Sequence, residues 1–115
     1  MAEPAAGSPA PGGGLLEPGT LTDRLADLDE GWEIIEGREL RRSVRLPDFA
    51  SALALAHQVG AIAEAQNHHP ELTLTWGKLR IRIWSHDLGG LTERDLTFAA
   101  ACDELQAIDG ERTDA

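Results

Sequence analysis

The 115-residue sequence predicts an α+β fold: an α-β-β-α-β-β-α chain in which a four-stranded antiparallel sheet carries its helices packed on one face. Three observations point there. Two pairs of short, β-like segments each reverse over a few residues. A long alanine-rich segment of helical character separates the pairs. A helix start signal follows the second pair.

The first element is "LTDRLADLDEGW". Thr20 or Thr22 can cap a short helix, Leu21, Leu25 and Leu28 share one face, and Gly31 can end it. "WEIIEGRELRRSVRL" reads as two strands around Gly37-Arg38. Leu40, Val44 and Leu46 alternate along the second strand. Ile34 and Ile35 are neighbours that must face opposite ways, so the face of the first strand stays open.

"LPDFASALALAHQVGAIAEAQNHHP" is the main helix. Pro47 and Asp48 suit its first turn. Phe49, Leu53, Ala56 and Gly60 form its expected stripe, with Ala54, Ala61 and Ile62 beside it. Pro70 ends the pattern, because the residue before a proline avoids helical geometry. In "ELTLTWGKLRIRIW", a two-residue loop at Gly77-Lys78 would pair Trp76 with Leu79, Leu74 with Ile81 and Leu72 with Ile83. Those six side chains then share one face, and Thr73, Thr75, Arg80, Arg82 and Trp84 take the other. The last helix, in "LTERDLTFAAACDELQAI", has Thr92 as its cap and Asp95 three residues on. Leu91 and Leu96 stand as a hydrophobic staple. Phe98, Ala101, Cys102, Leu105 and Ile108 form its stripe.

Residues 1–18 are nearly all Ala, Pro, Gly, Ser and Glu and are expected to be a disordered tail. One domain is expected over 19–110, with a flexible C-terminal tail at 111–115. The chain carries a net charge of -10. That opposes nonspecific nucleic-acid binding, which needs Lys and Arg to neutralise phosphates, and binding to an anionic membrane surface. No apolar run approaches the roughly 20 residues of a membrane span. The N-terminus has no basic region followed by an apolar core, so no secretory signal is expected. Cys102 is the single cysteine, which suits a reducing cytosol, and a cytoplasmic location is expected.

Four histidines are present, and two stand together in "EAQNHHPEL". Adjacent histidines at a helix end can satisfy free carbonyls, or they can do chemistry. Glu64 and His68 share a face if the helix persists to Asn67. His86 follows the last strand, so three histidines and a carboxylate can converge where a helix end meets a strand end. His57 is expected to be structural or solvent-facing. Asp95 is explained by its capping position alone. Trp84, on the polar face, covers the edge of a ligand site or packs at a subunit interface. Metal binding is disfavoured, because neighbouring imidazoles rarely bind one ion together. Nucleophilic catalysis is disfavoured too: Cys102 lies on an apolar face and no serine sits in an elbow motif. Proton transfer by histidine, protonating one substrate atom while deprotonating another, suits elimination of water.

The spacing of Glu64, His68-His69-Pro70, Trp76, His86 and Asp95 resembles the signature of the pterin-4a-carbinolamine dehydratases. "DEGWEIIEGREL" is similar to that family's first hairpin, and "SHDLGGLTERD" to its histidine loop and helix start. The likeness spans about Leu21 to Ile108. It implies elimination of water from 4a-hydroxytetrahydropterin to give quinonoid dihydropterin, a step in tetrahydrobiopterin recycling. It implies no metal and no further cofactor, and assembly as a homodimer or homotetramer.

On that resemblance His68 and His86 are the proton-transfer pair, and His69 binds and orients the pterin. Glu64 polarises nearby groups, Pro70 shapes the pocket, Trp76 supports it, and Asp95 orients a histidine or meets the rim. Asn67, Trp84 and Ser85 complete the expected substrate-binding set. Asn67 stands where many members have Asp, and Trp84 where many have a small polar residue. The alternative role is non-catalytic, as a dimerisation cofactor or assembly chaperone for a protein partner. Retention of all three histidines with Glu64 and Asp95 favours an active site.

Overall fold

The computed structural model describes residues 14–109. The tails expected at 1–18 and 111–115 therefore lie largely or wholly outside the described residues. The elements are α1 (Pro18–Leu25), β1 (Glu33–Ile35), β2 (Glu39–Arg45), α2 (Phe49–Gln66), β3 (Glu71–Thr75), β4 (Lys78–Ile83) and α3 (Glu93–Asp103), followed by a 3₁₀ turn, Gln106–Asp109. The sheet is antiparallel with strand order β1-β2-β4-β3. This is the α+β arrangement that the sequence predicts.

The central strands explain the layering. On β4, Leu79, Ile81 and Ile83 are buried while Lys78, Arg80 and Arg82 alternate outward. On β2, Leu40, Arg42 and Val44 face inward. Period-two patterning thus gives the sheet one apolar face, and α2 and α3 cover it with Leu55, Val59, Leu96, Phe98 and Cys102. Ile34 pairs with Leu40 and packs against this core, which settles the face of β1.

Four local expectations are corrected. First, α1 begins at Pro18, ahead of both threonines, and no side chain caps it. Proline tolerates a first helical position because its missing N–H has no partner there. Second, β1 reverses at Glu36-Gly37 rather than Gly37-Arg38, with both residues left-handed (φ 54° and 71°). Third, β3 pairs Leu72 with Ile81 and Leu74 with Leu79, so the loop is Trp76-Gly77. The slip is two residues, which leaves every β3 side chain on its expected face, but it moves Trp76 into the turn, 70% exposed. Fourth, the buried stripe of α2 is Ala52, Leu55, Val59 and Ala63. Phe49 and Leu53 are 44% and 51% exposed.

α3 starts as expected. Thr92 and Asp95 form a reciprocal capping box. The helix stops at Asp103, and Ile108 reaches the core from the 3₁₀ turn. A buried arginine closes this end of the molecule. Arg42 donates to Asp103 (3.0 Å) and to the Ile108 carbonyl (3.1 Å), and its guanidinium lies over Trp32. Asp103 also accepts from the Trp32 indole and the Asp29 backbone N–H, both at 2.8 Å. Such a charge is tolerable inside only because each partner is satisfied.

Candidate active site

The site begins with the end of α2. Asn67 adopts the left-handed conformation (φ 53°, ψ 44°). His68 N–H donates to Ala63 O at 3.1 Å and Asn67 N–H to Glu64 O at 3.3 Å. This is a Schellman termination, and Asn is among the few residues that accept its left-handed step. The step reverses the chain just before the two histidines and sends them in opposite directions.

His68 turns inward and is buried. Its Nε2 lies 2.6 Å from Asp95 Oδ1. Asp95 is 0% exposed, at the first turn of α3. Its Oδ2 accepts from the Thr92 backbone N–H at 2.8 Å and the Ser85 hydroxyl at 2.9 Å. Ser85 and Thr92 also join through their hydroxyls at 2.8 Å. With donors on Oδ2 and an imidazole on Oδ1, the carboxylate is used as an acceptor throughout. Nε2 therefore carries the ring proton, and Nδ1 is the nitrogen left to accept one.

His69 turns outward and folds back on Glu64, Nε2 to Oε2 at 2.6 Å. Glu64 was expected on the His68 face; the left-handed step hands it to His69 instead. His86 leaves β4 on a loop closed by the Ser85–Gly90 bridge, where Gly89 takes φ 69°. Its ring lies 4.5 Å from that of Trp84, tilted 33°. Trp84 is held from below by the Arg82 guanidinium, 5.3 Å from the ring. Arg82 in turn binds Glu39 (2.8 and 3.0 Å) and Glu71 (2.8 Å). The Arg82 hydrogen bond holds the Glu39 carboxyl below the usual range, and Arg41 adds to it.

These elements enclose a cavity of about 300 Å³ lined by Asn67, His68, His69, Trp84, His86, Asp87 and Arg94. So three histidines from two separate chain segments line one cavity. Glu64 and Pro70 line a neighbouring cavity of about 430 Å³ with His57, and His69 stands between the two.

Three expected members line neither cavity. Ser85 is completely buried, its hydroxyl taken up by Asp95 and Thr92, so it braces the site from behind. Trp76 sits in the exposed β3-β4 turn and lines neither cavity. Asp95 is likewise buried behind the cavity, in contact with His68. The sequence reading missed Asp87 and Arg94, which pair at 3.1 Å on the wall. Their only signal was adjacency to His86 and Asp95. Among the described residues, no three His, Cys, Asp or Glu side chains are placed to hold a metal ion. No helix among them is long and apolar enough to cross a membrane.

Comparison with known proteins identifies the family. The profile of the family described as pterin 4 alpha carbinolamine dehydratase matches residues 15–105. A Rubrobacter xylanophilus protein, provisionally named a pterin-4-alpha-carbinolamine dehydratase, is 42% identical over 97 residues, covering 84% of this chain and 91% of the relative. A Rickettsia bellii protein with the same provisional name is 37% identical, covering 79% and 80%. Among solved structures, a Brucella melitensis protein titled transcriptional coactivator/pterin dehydratase superposes with TM-score 0.74 at 30% identity, covering 84% of this chain and 100% of that one. A pterin dehydratase-like protein titled a RuBisCO assembly factor shares the fold at TM-score 0.54 and 22% identity, covering 70% and 90%. The chain therefore belongs to the pterin 4 alpha carbinolamine dehydratase family.

Proposed function

We propose that the protein eliminates water from a 4a-hydroxytetrahydropterin to give the quinonoid dihydropterin, by histidine general acid/base catalysis and without metal or further cofactor. The observation that carries this reading is the cavity lined together by His68, His69 and His86, with His68 backed by a buried carboxylate. In the reaction the C4a–O bond breaks, the hydroxyl takes up a proton and leaves as water, and the adjacent ring N–H gives up its proton as C=N forms. One group must donate and another accept. His68 accepts, because Asp95 stabilises the imidazolium that results. His86, exposed and lining the same cavity, donates to the leaving hydroxyl. His69, held by Glu64, orients the ring, and Trp84 offers it a flat apolar surface.

The test is turnover of synthetic carbinolamine, followed by pterin absorbance. Wild-type protein should accelerate dehydration, His68→Ala and His86→Ala should each slow it, and the double variant should approach the uncatalysed rate. Protein that performs no better than buffer rejects the assignment.

The exposed apolar side chains of α2, Phe49 and Leu53, support assembly into a homo-oligomer. A cytoplasmic setting fits the buried free thiol of Cys102. The second reading is a protein-binding role, for which the Brucella relative's title supplies the motive.

A further inference from the structure

The outward face of the sheet divides into two halves of different character. Near the active site both arginines are matched: Arg41 and Arg82 meet Glu39, and Arg82 also meets Glu71. Elsewhere Arg24 faces Glu93, Arg38 faces Glu36, Arg42 faces Asp29 and Asp103, and Arg94 faces Asp87. The remaining described cations are Arg45, Lys78 and Arg80, and none has a carboxylate partner among the described residues. All three lie together at the far end of the open face. Arg45 pairs across strands with Lys78, and Ser43 with Arg80. Thr73 and Thr75 flank Arg80 and Lys78 on the other side. Arg80 Nε is closed off from solvent without a hydrogen-bond acceptor.

This distribution runs against composition. The chain has 20 Asp and Glu against 10 Lys and Arg, so acids are in excess. Unpaired cations gathered on one patch of so acidic a surface form a local field that attracts negative charge. Lys78 and Arg80 are alternate residues of one strand, roughly 6.8 Å apart on one face. An extended peptide presents its own alternate side chains at the same spacing. β3, the neighbouring strand, is also a sheet edge.

We propose that this patch docks an extended acidic segment of a partner protein, with carboxylates at alternate positions meeting Lys78 and Arg80 and a further acid meeting Arg45. The hydroxyls of Ser43, Thr73 and Thr75 surround the patch and suit a polar, hydrogen-bonding chain. A nucleic acid is a poorer occupant, because the net charge of -10 repels a long polyanion beyond the patch.

The test uses the full-length protein and a short fluorescein-labelled peptide alternating glutamate and threonine. Anisotropy at low ionic strength should show binding that weakens as salt rises. Three exposed ion pairs of ordinary strength correspond to about a tenfold effect. The triple variant Arg45→Ser/Lys78→Ser/Arg80→Ser should therefore bind about tenfold more weakly. Arg80 is partly buried, so the double variant Arg45→Gln/Lys78→Gln, confined to exposed side chains, provides a second arm and should lose severalfold. Dehydration activity should be unchanged in both. Equal peptide binding by wild type and both variants overturns the proposal. So does equal affinity for a peptide with its glutamates grouped, or tighter binding of a DNA duplex. A change in the free protein's oligomeric state in the double variant also overturns it, since a second copy would then cover this face.

Discussion

Asp95→Asn separates the chemistry of the site from its architecture. The replacement is isosteric, and the surroundings dictate how it must sit. On the Oδ2 side the Thr92 backbone N–H and the Ser85 hydroxyl both donate, so the amide oxygen must take that position. The amide nitrogen then faces His68 Nε2, where the carboxylate oxygen lay at 2.6 Å. An NH₂ group can only donate, so Nε2 must present a lone pair, and the ring proton moves to Nδ1. His68 then has no free nitrogen with which to take a proton from substrate. Loss of a general base costs about 10²–10⁴ in kcat, or about 2.7–5.4 kcal/mol of transition-state stabilisation. The fold loses less. The two charge-assisted hydrogen bonds on the Oδ2 side become neutral, the bond to His68 reverses direction, and a helix N-terminus loses its carboxylate, together about 1–2 kcal/mol. For a domain of this size that lowers Tm by about 5–15 °C. The assay is carbinolamine turnover well below the variant's Tm, with kcat and KM separated and folding checked by circular dichroism. KM should change little. A folded variant that keeps a third or more of wild-type kcat refutes the assignment of His68 as an Asp95-oriented base.

Three further outcomes follow from particular side chains. Glu39 and Glu93 are held below their ordinary value of 4.5 by hydrogen bonds from Arg82 and Arg24. A depressed carboxylate stabilises the fold above its unfolded value and loses that contribution as pH falls through its folded value. Tm should therefore stay level from about pH 7 to 5 and decline below about 4.5, more shallowly in Glu39→Gln; an unaltered decline in that variant removes Glu39 from the account. Burial pushes the Cys102 thiol up to about 12, so a disulfide reagent at about pH 8 should leave it unmodified until denaturant is added; rapid labelling of folded protein contradicts this. Leu53→Glu places a charge on the exposed face of α2 and should lower the mass measured by sedimentation while preserving helicity; an unchanged mass means that α2 is not the assembly surface.

What could be read from the chain alone was whatever depends on near neighbours. Thr92 and Asp95 are three residues apart, and their capping box formed as expected. Alternation along β4 gave its buried face, since a strand has only two faces. The slip in the β3-β4 hairpin moved Trp76 into the turn but left the faces of β3 unchanged for the same reason: two residues is a whole period. The choice of the three histidines as candidates also came from sequence, because imidazole can either donate or accept a proton.

Long-range packing settled the rest. α2 is apolar almost all round, so composition could not select the face that the sheet would cover; Ala52, Leu55, Val59 and Ala63 went in, and Phe49 and Leu53 stayed out. One left-handed residue, Asn67, gave His68 to Asp95 and His69 to Glu64, reversing the pairing that helical spacing suggested. Ser85 became a brace only because α3 starts against it, and Arg45, Lys78 and Arg80 became a patch only because their strands lie side by side. Local chemistry is written residue by residue, whereas the partners of a side chain depend on which distant segments the buried core brings beside it.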